Sequence, residues 1–180
     1  MKKLLLLILI GVGIGYAVRT WVLEQGYVAS ASMEPTLKLE SKFMLNKLVY
    51  RFRKPRRNEI IVFASPYDEK QLIKRVIAVA GDEVEIRDKK LWLNGTEMEE
   101  PYVVHSRPGE RFRDDFFGPY VVPEETVFVM GDNRDESNDG RNWTDPQTGE
   151  ITPFLSNSSV KGKIFEIYYK NTPKPRRLNY

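Results

Sequence analysis

A serine and a lysine in two separate short segments are the residues of this chain best suited to nucleophilic chemistry. Ser32 stands in Ser-Met-Glu-Pro-Thr, and Lys74 begins Lys-Arg-Val-Ile-Ala-Val-Ala-Gly-Asp. A serine hydroxyl is a weak nucleophile until a base takes its proton. The chain has one histidine, His105, and no cysteine, so a cysteine–histidine pair is excluded and a Ser-His-Asp triad would depend on His105 alone. We therefore favour an amine as the base.

The residues around Lys74 bear on whether its amine could accept a proton. If this run is a strand, Leu72, Val76 and Ala78 share the face of Lys74, and that face is apolar. Burial disfavours the charged ammonium and can lower a lysine pKa by about 3. The alternative is that Lys74 faces solvent on an edge strand, which the adjacent Arg75 would favour.

An acyl-transfer site also needs donors for the developing oxyanion. The backbone N–H of Ser32 and the hydroxyl of Ser30 are the candidates. In an extended segment, residues two apart point to the same side. We therefore expect the two serine hydroxyls to lie together.

The polar segment from Gly131 to Arg141 invites a Ca²⁺ interpretation because it is rich in acids. It lacks the spacing and the closing glutamate of an EF-hand loop, and two arginines compete for its carboxylates. Internal ion pairs and turn hydrogen bonds are the better account. We predict no metal and no organic cofactor.

An apolar N-terminal segment indicates a membrane anchor. Two lysines precede an uncharged apolar run from Leu4 to Val18. Extension to Leu23 gives the roughly 20 residues that cross a bilayer, provided that Arg19 snorkels to the interface. The lysine pair favours a cytoplasmic N-terminus. We predict an anchor over residues 1–24 that contacts the lipid bilayer, and an extracytoplasmic domain over residues 25–180 on the outer face of the cell membrane.

A removed secretory signal peptide is the alternative interpretation of this segment. The basic start, the apolar run and the A-x-A site Ala29-Ser30-Ala31 support it. Against it, the polar stretch of residues 19–26 separates the run from that site by more than a cleavage region needs. Cleavage there would also delete Ser30 and leave Ser32 as the new N-terminus.

The rest of the chain predicts a mainly β fold. Short β-branched or aromatic runs alternate with Gly, Pro, Asn and Asp. These runs are residues 43–50, 59–64, 71–80, 83–87, 91–93, 126–130 and 163–169. Residues 101–119 and 134–150 should be irregular. We expect a catalytic domain of coiled antiparallel sheets or a small β-barrel, preceded by one N-terminal transmembrane helix.

The charge of the chain is mildly positive, with a formal net charge of +3 over 180 residues. Two basic clusters, residues 51–57 and 174–177, contribute much of it. A solvated loop or tail is the simplest interpretation of each cluster, and attraction to anionic lipid headgroups is the sharper one. No recognition motif accompanies the charge, so we predict no nucleic-acid partner.

Taken in order after the apolar span, these segments resemble the bacterial type I signal peptidases in their short, single-span form. The resemblance rests on the segments that contain Ser32 and Lys74, with further likeness in residues 117–124 and 128–134. It covers most of residues 1–170. Each motif is weak alone, but their common order in one chain is specific.

The resemblance implies a membrane-bound serine endopeptidase that removes signal peptides from exported preproteins after small residues. Ser32 would be the nucleophile and Lys74 the general base. Supporting roles would fall to the oxyanion donor Ser30, the lysine-orienting Ser137, the ion-paired Asp139 and Arg141, and the substrate-pocket residues Val28 and Ile73.

Two alternatives stay open on sequence grounds. One is another Ser–Lys protease class, such as the self-cleaving repressors, although these are soluble and usually carry a DNA-binding module. The other is a membrane-tethered, non-enzymatic β module that binds partners through the aromatic-rich residues 112–120.

Overall fold

The computed structural model describes residues 2–68, 70–169 and 175–178. In this part of the chain, one α-helix is followed by short strands and single 3₁₀ turns. The helix α1 spans Lys2–Trp21. The strands are β1 Leu23–Tyr27, β2 Lys42–Asn46, β3 Ile60–Ala64, β4 Gln71–Val79, β5 Glu83–Arg87, β6 Lys90–Leu93, β7 Thr96–Glu97, β8 Phe117–Val121, β9 Thr126–Met130, β10 Phe154–Ser156, β11 Val160–Tyr168 and β12 Arg176–Arg177.

The strands form two antiparallel sheets, which confirms the prediction of a mainly β fold. The larger sheet has the order β1-β2-β11-β3-β4-β9-β10, with β12 paired to β11, and the smaller has the order β7-β6-β5-β8. The residue types of β3 suit a central strand of the larger sheet. Its Ile60, Ile61, Val62 and Phe63 are β-branched or aromatic and all buried, because both faces of the sheet are covered there. β3 and β4 pair with Ile61 opposite Lys74.

Apolar side chains from both sheets form three buried clusters around the central strands. One cluster joins Val28 and Met33 to β2, β3 and β11. A second cluster contains Val76 and Trp143. In the third cluster, the end of β4 and Phe128 of β9 pack together with residues of the smaller sheet. β4 therefore runs through the middle of the domain, and its central residues are shielded from water.

The N-terminal helix makes little contact with this core. The large apolar side chains described along it are exposed, from Leu4 to Ile14, as are Tyr16 and Trp21. Judged over the described residues, no helix has both the length and the apolar character needed to cross a membrane. The side chain of Arg19 and the basic residue Lys174 lie outside what the structure describes.

Several strand predictions match the structure and others differ. β5 and β9 have the predicted bounds, and β3, β4, β6 and β11 lie close to them. Leu23 and Glu24, which we predicted to close the anchor, instead begin β1 and pair with β2. The prediction of an irregular segment up to residue 119 is wrong at its end, because β8 begins at Phe117 and pairs with β5.

Candidate active site

The two residues predicted to do chemistry lie in hydrogen-bonding contact. Ser32 stands in a single 3₁₀ turn, Ala31–Met33, that follows β1 in the chain. Lys74 lies in β4, and its Nζ donates a hydrogen bond of 2.8 Å to Ser32 Oγ. Ser32 is 7% exposed and Lys74 is 3% exposed. The alternative of a solvent-facing Lys74 on an edge strand is therefore wrong. Of the other candidate base, His105, the structure records a hydrogen bond between Nδ1 and Asp135.

Burial sets the protonation behaviour of Lys74. It disfavours the ammonium form and lowers the pKa of the amine from its ordinary value of 10.5 to about 8. The negative charge of Asp139 opposes this shift, and the positive charge of Arg141 adds to it. A pKa of about 8 leaves roughly a tenth of the amine neutral at pH 7, so a base is available under ordinary conditions.

Ser30 lies beside the nucleophile, although the local backbone differs from the one we expected. Ser30 itself is extended, with φ −142° and ψ 160°, but the chain then turns at Ala31–Met33. The Oγ atoms of Ser30 and Ser32 are 3.2 Å apart. Ser30 is exposed and Ser32 is buried. The Ser30 hydroxyl therefore stands on the solvent side of Ser32 and Lys74.

Asp139 is the centre of a buried hydrogen-bond network behind the dyad. Ser137 Oγ donates to its Oδ2 at 2.6 Å, and the backbone N–H of Gly131 donates to the same oxygen at 3.0 Å. Arg141 Nε donates to Oδ1 at 2.8 Å. Burial alone would raise the pKa of Asp139, but the charge and hydrogen bonds of Arg141, together with the charge of Lys74 and the hydrogen bond from Ser137, lower it. The carboxylate is thus ionised and held in a fixed orientation.

Gly131 connects this network to the nucleophile. A Cβ placed on Gly131 would lie 2.5 Å from the carbonyl oxygen of Ser32 and would also collide with the Ser137 side chain. The lack of a side chain at Gly131 is what lets Ser137 approach the dyad. The hydrogen bond recorded for the Ser137 hydroxyl goes to Asp139, and the predicted bond to the Lys74 amine remains a prediction.

A cleft of about 390 Å³ opens beside the dyad. Both predicted pocket residues, Val28 and Ile73, line it, together with Ser30, Phe43 and Leu72. One wall is the first half of β4. β9 pairs with β4 from Arg75 to Val79, so among the described strands residues 71–74 have a neighbour, β3, on one side and none on the other. The main chain of this stretch is the part of β4 that an added strand could reach.

Sequence reasoning missed a second buried ion pair next to the dyad. Arg75 Nε and Nη2 donate to the two carboxylate oxygens of Asp132 at 2.8 and 2.6 Å. The guanidinium also lies 3.9 Å from the centre of the Tyr102 ring. We took Arg75 as a sign of solvent exposure, but it is buried. Its partner, Asp132, belongs to the acid-rich segment from Gly131 to Arg141. The acids of that segment were the sequence signal for a buried ion pair.

Asp114 is a further contributor that the sequence did not reveal. Its Oδ2 lies 3.2 Å from Arg141 Nη1, and both side chains are largely buried. Arg141 is therefore held by acids on two sides, Asp139 and Asp114. This pairing joins the segment after residue 101 to the network behind the dyad.

The chain is similar to proteins of one family. Residues 1–169 match the family model described as signal peptidase, peptidase S26. A probable signal peptidase I-2 from Synechocystis sp. is 35% identical over 182 residues, which covers 97% of this chain and 73% of that protein. A signal peptidase I P from Bacillus subtilis subsp. natto is 36% identical over 140 residues, with 75% of each chain covered. A crystal structure of a signal peptidase I from Enterococcus faecalis has 30% sequence identity and a TM-score of 0.47, and covers 62% of this chain and 97% of that one.

Proposed function

Since the chain belongs to the signal peptidase family, peptidase S26, we propose that it is a serine endopeptidase that removes signal peptides from exported preproteins by means of a Ser32–Lys74 dyad. The observation that supports the dyad is the 2.8 Å hydrogen bond from the buried Lys74 Nζ to Ser32 Oγ. A buried amine with a lowered pKa is the form in which lysine acts as a base.

The proposed reaction is acyl transfer through a covalent ester. Neutral Lys74 takes the proton of Ser32 as Oγ attacks the scissile carbonyl carbon. The Ser32 N–H and the Ser30 hydroxyl donate to the oxyanion that forms on the carbonyl oxygen. The Lys74 ammonium then protonates the leaving amine, and water activated by the neutral amine hydrolyses the ester. Ser137 orients the lysine amine in this proposal.

The substrate would bind as an extended strand. The one-sided stretch of residues 71–74 offers main-chain donors and acceptors to it, as in β-strand addition. Side chains at alternate substrate positions would then point into the cleft that Val28 and Ile73 line. Because Val28 is buried and Ile73 packs against the same cluster, the pocket between them suits small side chains.

Anchorage to the cell membrane through the helix α1, Lys2–Trp21, is also part of the proposal. The apolar side chains of α1 from Leu4 to Ile14 are exposed, and lipid would cover them. Lys2 and Lys3 favour a cytoplasmic N-terminus, with the catalytic domain on the outer face. Holding enzyme and preprotein in one thin layer raises their effective concentration.

Processing of a preprotein by point variants of the full chain in detergent or vesicles tests the dyad. Ser32→Ala and Lys74→Ala should each abolish cleavage. Ser65→Ala removes the same hydroxyl from a serine that is similarly buried, at 8% exposed, and should cleave as the wild type does. Near-normal turnover by either dyad variant would refute the assignment.

Covalent labelling separates the protease from the non-enzymatic alternative. An active-site-directed acylating inhibitor should label the wild type at Ser32 and leave Ser32→Ala unlabelled. A binding module that worked through residues 112–120 would not react at Ser32. In that segment Phe116 and Tyr120 are exposed, while Phe117 is buried in the core.

A further inference from the structure

A second cavity lies at the C-terminal end of α1, apart from the catalytic cleft. It measures about 520 Å³. The last turn of the helix, the start of β1, the segment after β2 and the start of β11 contribute to it. Among its lining residues are Trp21, Glu24, Lys47, Arg51, Ser158 and Lys161.

The charges around this cavity leave a net positive site. Lys47 Nζ donates to the main-chain oxygen of Thr20 at 2.5 Å and lies 3.2 Å from Glu24 Oε2. Lys47 therefore neutralises both the one acid of the cavity and the negative end of the helix dipole. Arg51 and Lys161 are exposed, and no ion pair is recorded for either one within the described ranges. Two cationic side chains are thus available to an anion.

The surroundings of the cavity suit a bilayer surface. Trp21, in the last turn of α1, is 63% exposed, and Phe52, next to Arg51, is 80% exposed. Large aromatic side chains of this kind favour the interface between headgroups and hydrocarbon. The cavity sits where the exposed apolar helix ends, so its two free cations lie at the depth of lipid phosphates if the helix lies in the membrane.

We propose that this cavity binds the headgroup phosphate of an anionic phospholipid, held by Arg51 and Lys161. The proposal rests on the membrane anchorage proposed above. Arg51 belongs to the basic cluster of residues 51–57. Three other members of the cluster already lie in ion pairs, Arg53 with Glu59, Lys54 with Glu125 and Arg57 with Asp82, so the charge offered to the phosphate comes from Arg51 and Lys161. A free phosphate shares the charge of the headgroup, but only a lipid also covers the aromatic side chains beside the site.

A bound headgroup would fix how the domain sits on the membrane. β1 runs from this cavity, which Glu24 lines, to the catalytic cleft, which Gln25 and Tyr27 line. The cavity and the cleft are therefore at neighbouring points of one short strand. Pinning one end of β1 to the headgroup layer holds the cleft at a constant height above it, where an emerging cleavage site would arrive.

Lipid selectivity measured by spin-label electron paramagnetic resonance tests the proposal. The full chain is reconstituted in phosphatidylcholine vesicles that contain spin-labelled phosphatidylglycerol or spin-labelled phosphatidylcholine. The wild type should retain phosphatidylglycerol preferentially. A basic residue near a membrane surface contributes about 1 kcal/mol, so Arg51→Gln and Lys161→Gln should each lower this preference by up to about five-fold. Arg111→Gln removes the same charge from an exposed arginine outside the cavity and should leave it unchanged.

Three results would overturn the proposal. Equal loss of selectivity in Arg111→Gln would show a diffuse charge effect and no site. Displacement of phosphatidylglycerol by inorganic phosphate at constant ionic strength would assign the cavity to a free anion. Failure of the chain to remain in vesicles would remove the anchorage and this site together. Ser32→Ala separates the two proposals, because it should lose cleavage and keep the wild-type lipid selectivity.

Discussion

Replacing Lys74 by methionine should make the protein inactive and, at neutral pH, more stable. Methionine has an unbranched chain of similar length and carries no charge to desolvate. Below pH 8 the amine is protonated in both the folded and the unfolded chain, and the folded state bears the full cost of burying the charge. The difference between 10.5 and about 8 corresponds to about 3 kcal/mol.

The sign of the pH dependence follows from proton counting. Between pH 8 and 10.5 the folded chain has released the Lys74 proton while the unfolded chain still holds it. The unfolded state then binds more protons, so the free energy of unfolding of the wild type rises with pH through this window. Lys74→Met lacks this rise. Its lost hydrogen bond to Ser32 costs about 1 kcal/mol at every pH, which leaves a net gain of about 2 kcal/mol at pH 7.

Urea unfolding of both proteins in one detergent, at a series of pH values from 7 to 10, measures the difference. Lys38→Met serves as a control because Lys38 is exposed, and its unfolding free energy should stay within about 0.5 kcal/mol of the wild type. A variant less stable than the wild type at pH 7 would refute the reasoning. A wild-type-to-variant difference that does not change between pH 7 and 10 would refute it equally.

Three further changes probe the surroundings of the dyad. Arg141→Gln should move the midpoint of the pH profile of kcat/KM above about 8, because the guanidinium charge of Arg141 helps to lower the pKa of Lys74. An unchanged midpoint in steady-state assays would contradict this. Gly131→Ala should lower kcat about a hundred-fold, because the new Cβ would collide with the main-chain carbonyl oxygen of Ser32 and displace that residue. Gly109→Ala is the control, since the space around its new Cβ is open, and it should keep full activity. Asp132→Asn should lower the free energy of unfolding by about 3–5 kcal/mol in urea titrations, because Arg75 is left buried without its counter-charge, and Arg75→Met with Asp132→Leu should recover most of it.

The pairing of Ser32 with Lys74 could be predicted from sequence because their two segments, each weak alone, occur in an order that resembles one family. The burial of Lys74 could not be predicted, because it depends on contacts between distant parts of the chain. β3 pairs with β4 on one side, and β9 pairs with it on the other side from Arg75 onward. The turn that contains Ser32 comes from 42 positions away in the sequence. The prediction that alternate residues of this strand share one face also failed beyond Val76. The pairing of β4 with β9 shifts register between Val76 and Ala78, so the two residues belong to different core clusters.

β1 shows why some strands escaped prediction. Its sequence, Leu-Glu-Gln-Gly-Tyr, has neither β-branched residues nor a run of apolar ones. It is a strand because its main chain pairs with β2 from Leu23 opposite Asn46 to Tyr27 opposite Lys42. Packing across the pair adds to this, since the Phe43 ring fills the space where a side chain on Gly26 would be. Both causes are contacts with residues distant in sequence, which local propensity does not register.

The charges around Lys74 explain how its pKa can stay lowered although a carboxylate lies nearby. Asp139 alone would stabilise the Lys74 ammonium, raise its pKa and remove the base. Burial has the larger effect and lowers the pKa, and Arg141, which engages both oxygens of Asp139, adds its positive charge to that lowering. With the two charges opposed, desolvation decides the pKa. Asp139 can then position Ser137 and the Gly131 main chain without making Lys74 a permanent cation.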